Sequence, residues 1–165
     1  MIRLQDQHIL QKLDFKDPAL WLATWFGSGL IKPAPGTWGT LAALPFGILF
    51  LSLSSWALFV GIIVILPIGL WASQKFTQSV KEKDSSMIVI DEVIGIWIAL
   101  LPVSLNTSSI LIAFILFRVF DIAKPWPVSW IDKKLKGAIG VMADDMMAGI
   151  YTALCMIGLR YVGLG

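Results

Sequence analysis

The chain has 165 residues, of which 57% are hydrophobic and only 15% are charged, and its mean hydropathy is +0.79. A typical soluble domain carries about 25% charged residues, so this composition excludes an ordinary soluble domain and predicts an integral membrane protein. The net charge of +2 comes without a continuous basic stripe, which excludes a typical nucleic-acid-binding protein and makes lipids the expected partners.

The polar segment 1–17 contains no apolar stretch of the kind found in cleavable signals. We therefore expect it to be a cytoplasmic N-terminal segment. Residues 18–31 follow, with the sequence PALWLATWFGSGLI, in which Trp21 and Trp25 are one helical turn apart. This spacing of large aromatic side chains predicts a helix that lies at the membrane interface.

The apolar run 38–73 is too long for one membrane span. It would extend about 54 Å as a helix of 1.5 Å per residue, whereas a hydrocarbon core is about 30 Å thick. We expect it to turn back at the sequence SLSS, residues 52–55. Together with the later apolar runs, the run 38–73 predicts an all-α, polytopic membrane fold. This fold forms a single domain over residues 1–165. The five predicted spans are residues 39–52, 56–74, 87–104, 109–123 and 138–161, of which the first and fourth are short enough to be re-entrant.

The connections between these spans alternate in charge. SLSS at 52–55 and SLNTSS at 104–109 hold no charge, whereas the other connections are rich in lysine. The positive-inside rule therefore places the basic connections in the cytoplasm, with Arg160 as an exception on the opposite side. The lysines of the cytoplasmic segments are Lys12, Lys16, Lys32, Lys75, Lys81, Lys83, Lys124, Lys133, Lys134 and Lys136.

Five acidic residues lie in three of the predicted spans, at a similar distance from the cytoplasmic side. Asp91 and Glu92 lie near the start of the third span, Asp121 near the end of the fourth, and Asp144 and Asp145 about two turns into the fifth. One carboxylate at the centre of a span costs about 2.5–3.5 kcal/mol. The grouping therefore indicates a functional site.

A divalent cation would balance the charge of these acids, because Arg118 and Lys124 neutralise only part of it. His8 is the only histidine and Cys155 the only cysteine, so oxygen ligands favour Mg²⁺ or Mn²⁺ over zinc. Magnesium often shares its coordination shell with a substrate phosphate. We therefore expect a phosphate ester as the substrate, with Arg118 and Lys124 binding its oxygens. For Asp121, three roles stay open: further ligand, general base, or partner of Arg118.

A second candidate substrate-binding segment, KPAPGTWGT, occupies residues 32–40 just before the first span. Its glycines relieve backbone crowding, and Lys32, Thr37 and Thr40 offer a cation and two hydroxyls that can approach a phosphate. The alternative is a plain turn followed by a helix N-cap.

Other interpretations stay open at this point. Arg118 and Asp121, at i,i+3 spacing, could form a packing salt bridge. A small cation- or proton-coupled transporter also carries intramembrane carboxylates, but it predicts acids spread over the bilayer depth. A purely structural subunit explains the acids least well. Motifs for other phosphate chemistry are missing, including C-x5-R, the P-loop and the D-x2-D-G-x2-A-R signature of CDP-alcohol phosphotransferases.

Four motifs, in order, resemble those of bacterial phosphatidylglycerophosphatase A over about residues 25–155. They are GTWGT at 36–40, DEVIG at 91–95, FRVFDIAKPWP at 117–127 and GAIGVMADDMMAG at 137–149. The resemblance implies a magnesium-dependent phosphatase of the bacterial inner membrane that converts phosphatidylglycerophosphate to phosphatidylglycerol. The motif positions that it carries over are Thr37, Asp91, Glu92, Arg118, Asp121, Lys124, Asp144 and Asp145.

Individual roles within this set are our predictions. The predicted metal ligands are Asp91, Glu92, Asp144 and Asp145. The predicted catalytic residues are Asp121, Arg118 and Lys124, and the predicted substrate-binding residues are Thr37, Thr40, Lys32, Arg118 and Lys124. Adjacent residues of a helix point about 100° apart, so which of Asp144 and Asp145 contacts the metal stays open.

Overall fold

The computed structural model of the chain describes residues 13–81, 85–135 and 137–162, without the side chains of residues 132 and 133. The polar segment 1–12 and three of the predicted cytoplasmic lysines, Lys12, Lys83 and Lys136, lie outside the described residues, as does the side chain of Lys133. Within the described residues there are seven α-helices and no strand, which confirms the all-α fold. The helices are α1 (Pro18–Ala23), α2 (Pro35–Leu53), α3 (Ser55–Val80), α4 (Ile90–Leu100), α5 (Thr107–Ala123), α6 (Val128–Lys134) and α7 (Ala138–Tyr161).

Three of these helices, α2, α3 and α7, are long and apolar enough to cross a membrane. The predicted number of five spans is not confirmed. Helix α4 has 11 residues and α5 has 17, which correspond to about 16 Å and about 25 Å at 1.5 Å per residue. Both are shorter than a hydrocarbon core of about 30 Å.

Helix α4 lies at the centre of the bundle, where α2, α3, α5 and α7 pack around it. Its apolar side chains are therefore covered by protein, and Ile90, Val93 and Ile96 are fully buried. The indole N–H of Trp97 donates to the carbonyl oxygen of Ala43 in α2 at 3.0 Å. The apolar run 87–104 thus reflects a buried core helix rather than a lipid-facing span.

Helices α2 and α3 form a hairpin, and the predicted turn at residues 52–55 is confirmed. Ser54 separates the two helices, and its hydroxyl oxygen caps α3 by accepting a hydrogen bond from the backbone N–H of Ala57 at 3.0 Å. Around this turn large apolar side chains are exposed, such as Leu53 and Trp56. This exposure is expected of a surface that faces lipid.

The predicted interfacial helix over residues 18–31 is wrong in its second half. Helix α1 ends at Ala23, and Trp25 and Phe26 have the left-handed backbone φ angles of 44° and 56°, which a helix does not allow. The side chain of Trp25 is buried, with its ring centroid 6.0 Å from that of Trp97. Core packing of this one aromatic side chain therefore overrides the helical pattern.

Helix α1 is tied to the end of α3 by an ion pair. The ammonium Nζ of Lys75 lies 2.9 Å from Oδ1 of Asp17, and this hydrogen bond lowers the pKa of the Asp17 carboxyl below its ordinary value. Asp17 also caps α1 by accepting from the backbone N–H of Ala19 at 2.9 Å. The N-terminal helix is thereby held at the same end of α3 as Lys75.

Helices α4 and α7 approach each other closely because both carry glycine at the contact. A Cβ atom added to Gly149 would lie 2.3 Å from the carbonyl oxygen of Gly95, which is closer than real side chains allow. Ala148, the other small residue beside it, is fully buried. The close approach brings the N-terminal parts of α4 and α7, where the predicted metal ligands are found, side by side.

Candidate active site

The helix ends at one end of the bundle surround a cavity of about 370 Å³, which is within the usual range of about 300–1,000 Å³ for ligand pockets. Residues from the start of α2, α4 and α7 and from the end of α3 and α5 line it. The cavity brings together all seven charged residues that the sequence predicts for metal binding or catalysis. They are Asp91, Glu92, Arg118, Asp121, Lys124, Asp144 and Asp145.

Three carboxylates form a compact group that we call the carboxylate trio: Asp91, Glu92 and Asp145. One oxygen of each residue lies within 4.8 Å of the oxygens of the other two. Asp91 and Asp145 are only 4% and 5% exposed, and Oε2 of Glu92 is buried without a hydrogen-bond partner among the described residues. Desolvated carboxylates at this separation repel one another unless a cation lies among them. The group therefore fits a metal ion that takes oxygen ligands.

Asp144, the fourth predicted ligand, has a different partner. Its Oδ2 lies 2.5 Å from the ammonium Nζ of Lys124, and its Oδ1 accepts a hydrogen bond from the backbone N–H of Asp145 at 3.1 Å. Because neighbouring side chains of a helix point about 100° apart, only Asp145 joins the two acids of α4. The structure thus places Asp144 beside the cation from the end of α5.

Arg118 connects three helices at the cavity wall. Its Nη1 lies 2.8 Å from Oδ2 of Asp121 and 3.7 Å from Oε1 of Glu92. The same nitrogen donates to the hydroxyl oxygen of Thr40 at 3.4 Å, and that hydroxyl donates to the carbonyl oxygen of Gly36 at 2.8 Å. The guanidinium group is therefore held in one orientation by residues of α2, α4 and α5.

The three predicted substrate-binding residues of the 32–40 segment lie at different distances from the cavity. The ammonium group of Lys32 donates to the hydroxyl of Ser86, a cavity residue, at 3.3 Å. Thr37 lies in the first turn of α2, outside the set of described residues that line the cavity. Thr40 is fully buried and contacts Arg118. The structure therefore brings Lys32 to the cavity rim and Thr40 behind the cavity wall.

Gly36 is the point at which the backbone of α2 meets the acids of α4. A Cβ atom at this position would lie 2.0 Å from Oε1 of Glu92 and 3.1 Å from Nη2 of Arg118. Any side chain here would push these groups from their places. The close approach explains why the 32–40 segment carries glycine at position 36.

One wall of the cavity was not predicted from the sequence. It consists of Ser73 and Thr77 at the end of α3 and of Ser85 and Ser86 in the following connection, and we call it the hydroxyl wall. The available signal was weak: two hydroxyl residues, one helical turn apart, at the end of a long apolar helix. Such residues are common in membrane helices, so the pattern alone did not indicate a site.

Comparisons with known proteins agree with the geometry. The model of the family described as Phosphatidylglycerophosphatase A matches residues 21–160. A phosphatidylglycerophosphatase A of Haemophilus influenzae is 39% identical over 160 residues, which cover 96% of this chain and 98% of the relative. A protein of the same name from Escherichia coli is 38% identical over 144 residues, which cover 86% and 83%.

A third relative has a different name. This protein from Bacteroides thetaiotaomicron, provisionally named a phosphatidylinositol-3-phosphatase, is 38% identical over 154 residues, which cover 86% of this chain and 92% of the relative. No solved structure matches the chain. The family match covers most of the chain and includes every described residue that lines the cavity, so the chain belongs to the phosphatidylglycerophosphatase A family.

Proposed function

We propose that the chain is a magnesium-dependent phosphatase of the bacterial inner membrane. It removes the terminal phosphate of phosphatidylglycerophosphate and releases phosphatidylglycerol and inorganic phosphate at the cytoplasmic face. The family and the names of two relatives support the reaction. The observation that carries the proposal is the carboxylate trio, which lines the same cavity as Arg118 and Lys124.

Asp91, Glu92 and Asp145 are the residues that would hold the magnesium ion. Their oxygen atoms suit this hard cation, which often keeps water and shares its shell with phosphate. When bound, magnesium supplies charge stabilisation for the phosphate oxygens and increases the acidity of a water molecule. The Oε2 atom of Glu92, which has no hydrogen-bond partner in the described part of the chain, supports this assignment, because a buried carboxylate oxygen without a partner is costly.

The two cations bind the phosphate oxygens. Arg118 presents a planar guanidinium group, which Asp121 and Glu92 orient at 2.8 Å and 3.7 Å, and its buried Nε has no partner among the described residues. Lys124 presents an ammonium group that Asp144 holds at 2.5 Å. Positively charged groups that are fixed in advance stabilise the charge that develops on a transferred phosphoryl group.

Of the three roles open for Asp121, its short contact with Arg118 supports that of orienting partner. The reaction breaks the bond between phosphorus and the terminal glycerol oxygen, and a water oxygen replaces that glycerol oxygen on phosphorus. The glycerol oxygen gains a proton as phosphatidylglycerol leaves. Holding the phosphate at fixed cations, beside the residues that would hold magnesium, makes the attack of water effectively intramolecular.

The lipid tails stay in the bilayer beside α2, α3 and α7, whose outer surfaces expose apolar side chains. The cavity is at the helix ends, where the headgroup of a membrane lipid can reach it. The transporter alternative predicts acids at different depths of the membrane. Clustering of five acids in one cavity, at one end of the bundle, favours the enzyme.

The experiment is an assay of phosphate release by the detergent-purified protein. The substrates are phosphatidylglycerophosphate, phosphatidate and phosphatidylinositol 3-phosphate, each with magnesium and with a chelator. We expect the fastest release from phosphatidylglycerophosphate and none with the chelator. Asp17→Asn is the matched control, because it removes a carboxylate that is not among the described residues lining the cavity, and it should stay active. Release that persists in chelator, or faster release from the phosphoinositide, would contradict the proposal.

A further inference from the structure

Ser73 presents a buried hydroxyl group to the cavity without a visible partner. The residue is 3% exposed and belongs to the cavity lining, yet its Oγ has no hydrogen-bond partner among the described residues. A serine in a helix can satisfy its hydroxyl by donating to a carbonyl oxygen one turn earlier. A buried hydroxyl that forgoes this bond costs free energy, which points to a ligand as the missing partner.

The position of Ser73 on α3 directs it to the interior of the bundle. Gly69, one turn earlier on the same face, packs against α4 and α7, because a Cβ atom there would lie 3.0 Å from Ile90 and 3.2 Å from Met142. Four residues correspond to a distance of about 6 Å along the helix axis. Ser73 thus lies one turn beyond this contact, at the level of the cavity that Asp91 and Asp145 line.

The hydroxyl wall differs in chemistry from the rest of the cavity. The other polar side chains in the described lining are five acids and two cations, whereas Ser73, Thr77, Ser85 and Ser86 are neutral. Two of the four are already engaged: Oγ of Ser85 accepts from the backbone N–H of Met87 at 3.4 Å, and Oγ of Ser86 accepts from Lys32. Ser73 is the member of the wall whose buried oxygen has no hydrogen-bond partner among the described residues, so a ligand hydroxyl would satisfy it.

The neutral hydroxyl of Ser73 can hydrogen-bond a neutral hydroxyl of a ligand, because each group both donates and accepts. The headgroup of phosphatidylglycerophosphate contains one such group, on the glycerol between its two phosphates. This step rests on the proposed function. With the terminal phosphate at Arg118 and Lys124, that glycerol occupies another part of the same cavity, whose described lining includes the hydroxyl wall.

We propose that Ser73, with Thr77 beside it, hydrogen-bonds the free hydroxyl of the headgroup glycerol and makes the enzyme prefer substrates that carry it. Ser73 is thus a specificity-determining residue rather than a catalytic one. Phosphomonoester lipids without this hydroxyl leave the Ser73 hydroxyl unpaired in the complex. For this reason, a site that hydrogen-bonds a substrate hydroxyl rejects an analogue without that hydroxyl.

The test compares two substrates that differ by one oxygen atom. One is phosphatidylglycerophosphate, and the other is its deoxy analogue, in which propanediol replaces the headgroup glycerol. For the wild-type chain and for Ser73→Ala, kcat/KM is measured with both lipids in magnesium. Ser79→Ala is the matched control, because Ser79 is exposed on the same helix and its hydroxyl donates to the carbonyl oxygen of Lys75 at 2.9 Å.

The wild-type chain and Ser79→Ala should prefer the natural lipid by about fivefold to tenfold, which is the usual worth of one hydrogen bond. Ser73→Ala should abolish this preference while it hydrolyses the deoxy analogue at the wild-type rate. Should Ser73→Ala fail to fold, Thr77→Val removes the neighbouring hydroxyl and should reduce the preference in the same way.

Two results would overturn the inference while the proposed function stands: equal slowing of both lipids by Ser73→Ala, or an unchanged preference. A wild-type chain that releases no phosphate from the natural lipid would instead overturn the proposed function, and this inference with it. The comparison of substrates is decisive because a merely structural role of Ser73 would affect both lipids alike.

Discussion

The adjacent residues Asp144 and Asp145 have separate partners, and this separation defines the site at the scale of residues. Asp145 faces the two acids of α4, whereas Asp144 lies 2.5 Å from the ammonium group of Lys124. One short segment of α7 thus contributes a carboxylate to the candidate metal site and another to the candidate phosphate site. The two functions are kept close together by a single helical turn.

Gly36→Ala tests the close approach of α2 to the acids. The added methyl group would lie 2.0 Å from Oε1 of Glu92, so the carboxylate must move. A misplacement of about 1 Å in a catalytic site can reduce the rate about 100-fold, and we expect a loss of kcat/KM of this order.

The melting temperature of Gly36→Ala should stay the same or rise, because alanine is a better helix former than glycine. Gly158→Ala is the control, since no described atom beyond the neighbouring part of its own helix lies within 4 Å of a Cβ atom there, and it should keep full activity. Full activity in Gly36→Ala would contradict the placement of Glu92.

Sequence reasoning identified the charged residues of the cavity and offered the pairing of Arg118 with Asp121, but it did not indicate the pairing of Asp144 with Lys124. Acids and cations in apolar helices are conspicuous, because each is costly unless it is paired or functional. Which of two neighbouring aspartates faces α4 depends on the rotation of α7, which packing decides. The hydrogen bond between Thr40 and Arg118 joins residues 78 positions apart, so no local pattern could indicate it.

At the scale of helices, the site depends on the contact between α4 and α7. Two of the trio belong to the first turn of α4, and the third belongs to α7. Gly95 and Gly149 allow the two helices to touch through their backbones. The distance between the acids is therefore fixed by a contact that contains no functional side chain.

Gly149→Ala should separate these helices. The new Cβ atom would lie 2.3 Å from the carbonyl oxygen of Gly95, and overpacking of this kind costs about 1–3 kcal/mol. We expect a lower melting temperature together with loss of activity, because Asp145 moves away from Asp91 and Glu92. Gly158→Ala in the same helix should change neither property. Wild-type activity in Gly149→Ala would show that the site does not need this contact.

Helix boundaries were predictable where polar or turn-forming residues interrupt the apolar runs of the sequence. Residues 138–161 were predicted as a span and form α7, and the turn at 52–55 is marked by its serines. Two features were missed for physical reasons. The short helix α6 is too brief for a periodic pattern, and the helix predicted through residue 31 ends at Ala23 because Trp25 is buried against the core.

At the scale of the whole molecule, the cavity lies at one end of a bundle whose three longest helices suit a membrane. The end with the cavity holds Lys75, Lys81 and Lys124, whereas the turn at Ser54 and the connection before α5 hold no charge. The positive-inside rule therefore predicts that this end faces the cytoplasm. The short α4 explains why counting apolar runs gave five spans: a helix enclosed by others is as apolar as one enclosed by lipid.

Cysteine labelling tests this orientation. In a Cys155→Ser background, which removes the only native cysteine, single cysteines are placed by Ser52→Cys and Lys134→Cys. Both positions are exposed, at the α2–α3 turn and at the end of α6. In spheroplasts, a membrane-impermeant maleimide should label Ser52→Cys, and should label Lys134→Cys only after permeabilisation. The Cys155→Ser parent should stay unlabelled. The reverse pattern would contradict a cytoplasmic active site.

The most direct test of the central claim is the initial rate of phosphate release from phosphatidylglycerophosphate as a function of free magnesium, for the wild-type chain, Asp145→Asn and Asp144→Asn. We predict that Asp145→Asn loses more than about 100-fold in kcat/KM, beyond the loss usual for outer-shell partners of a metal. Asp144→Asn should raise KM for the lipid and leave the magnesium dependence as in the wild type. A magnesium dependence that shifts in Asp144→Asn but not in Asp145→Asn would contradict the assignment of the carboxylate trio.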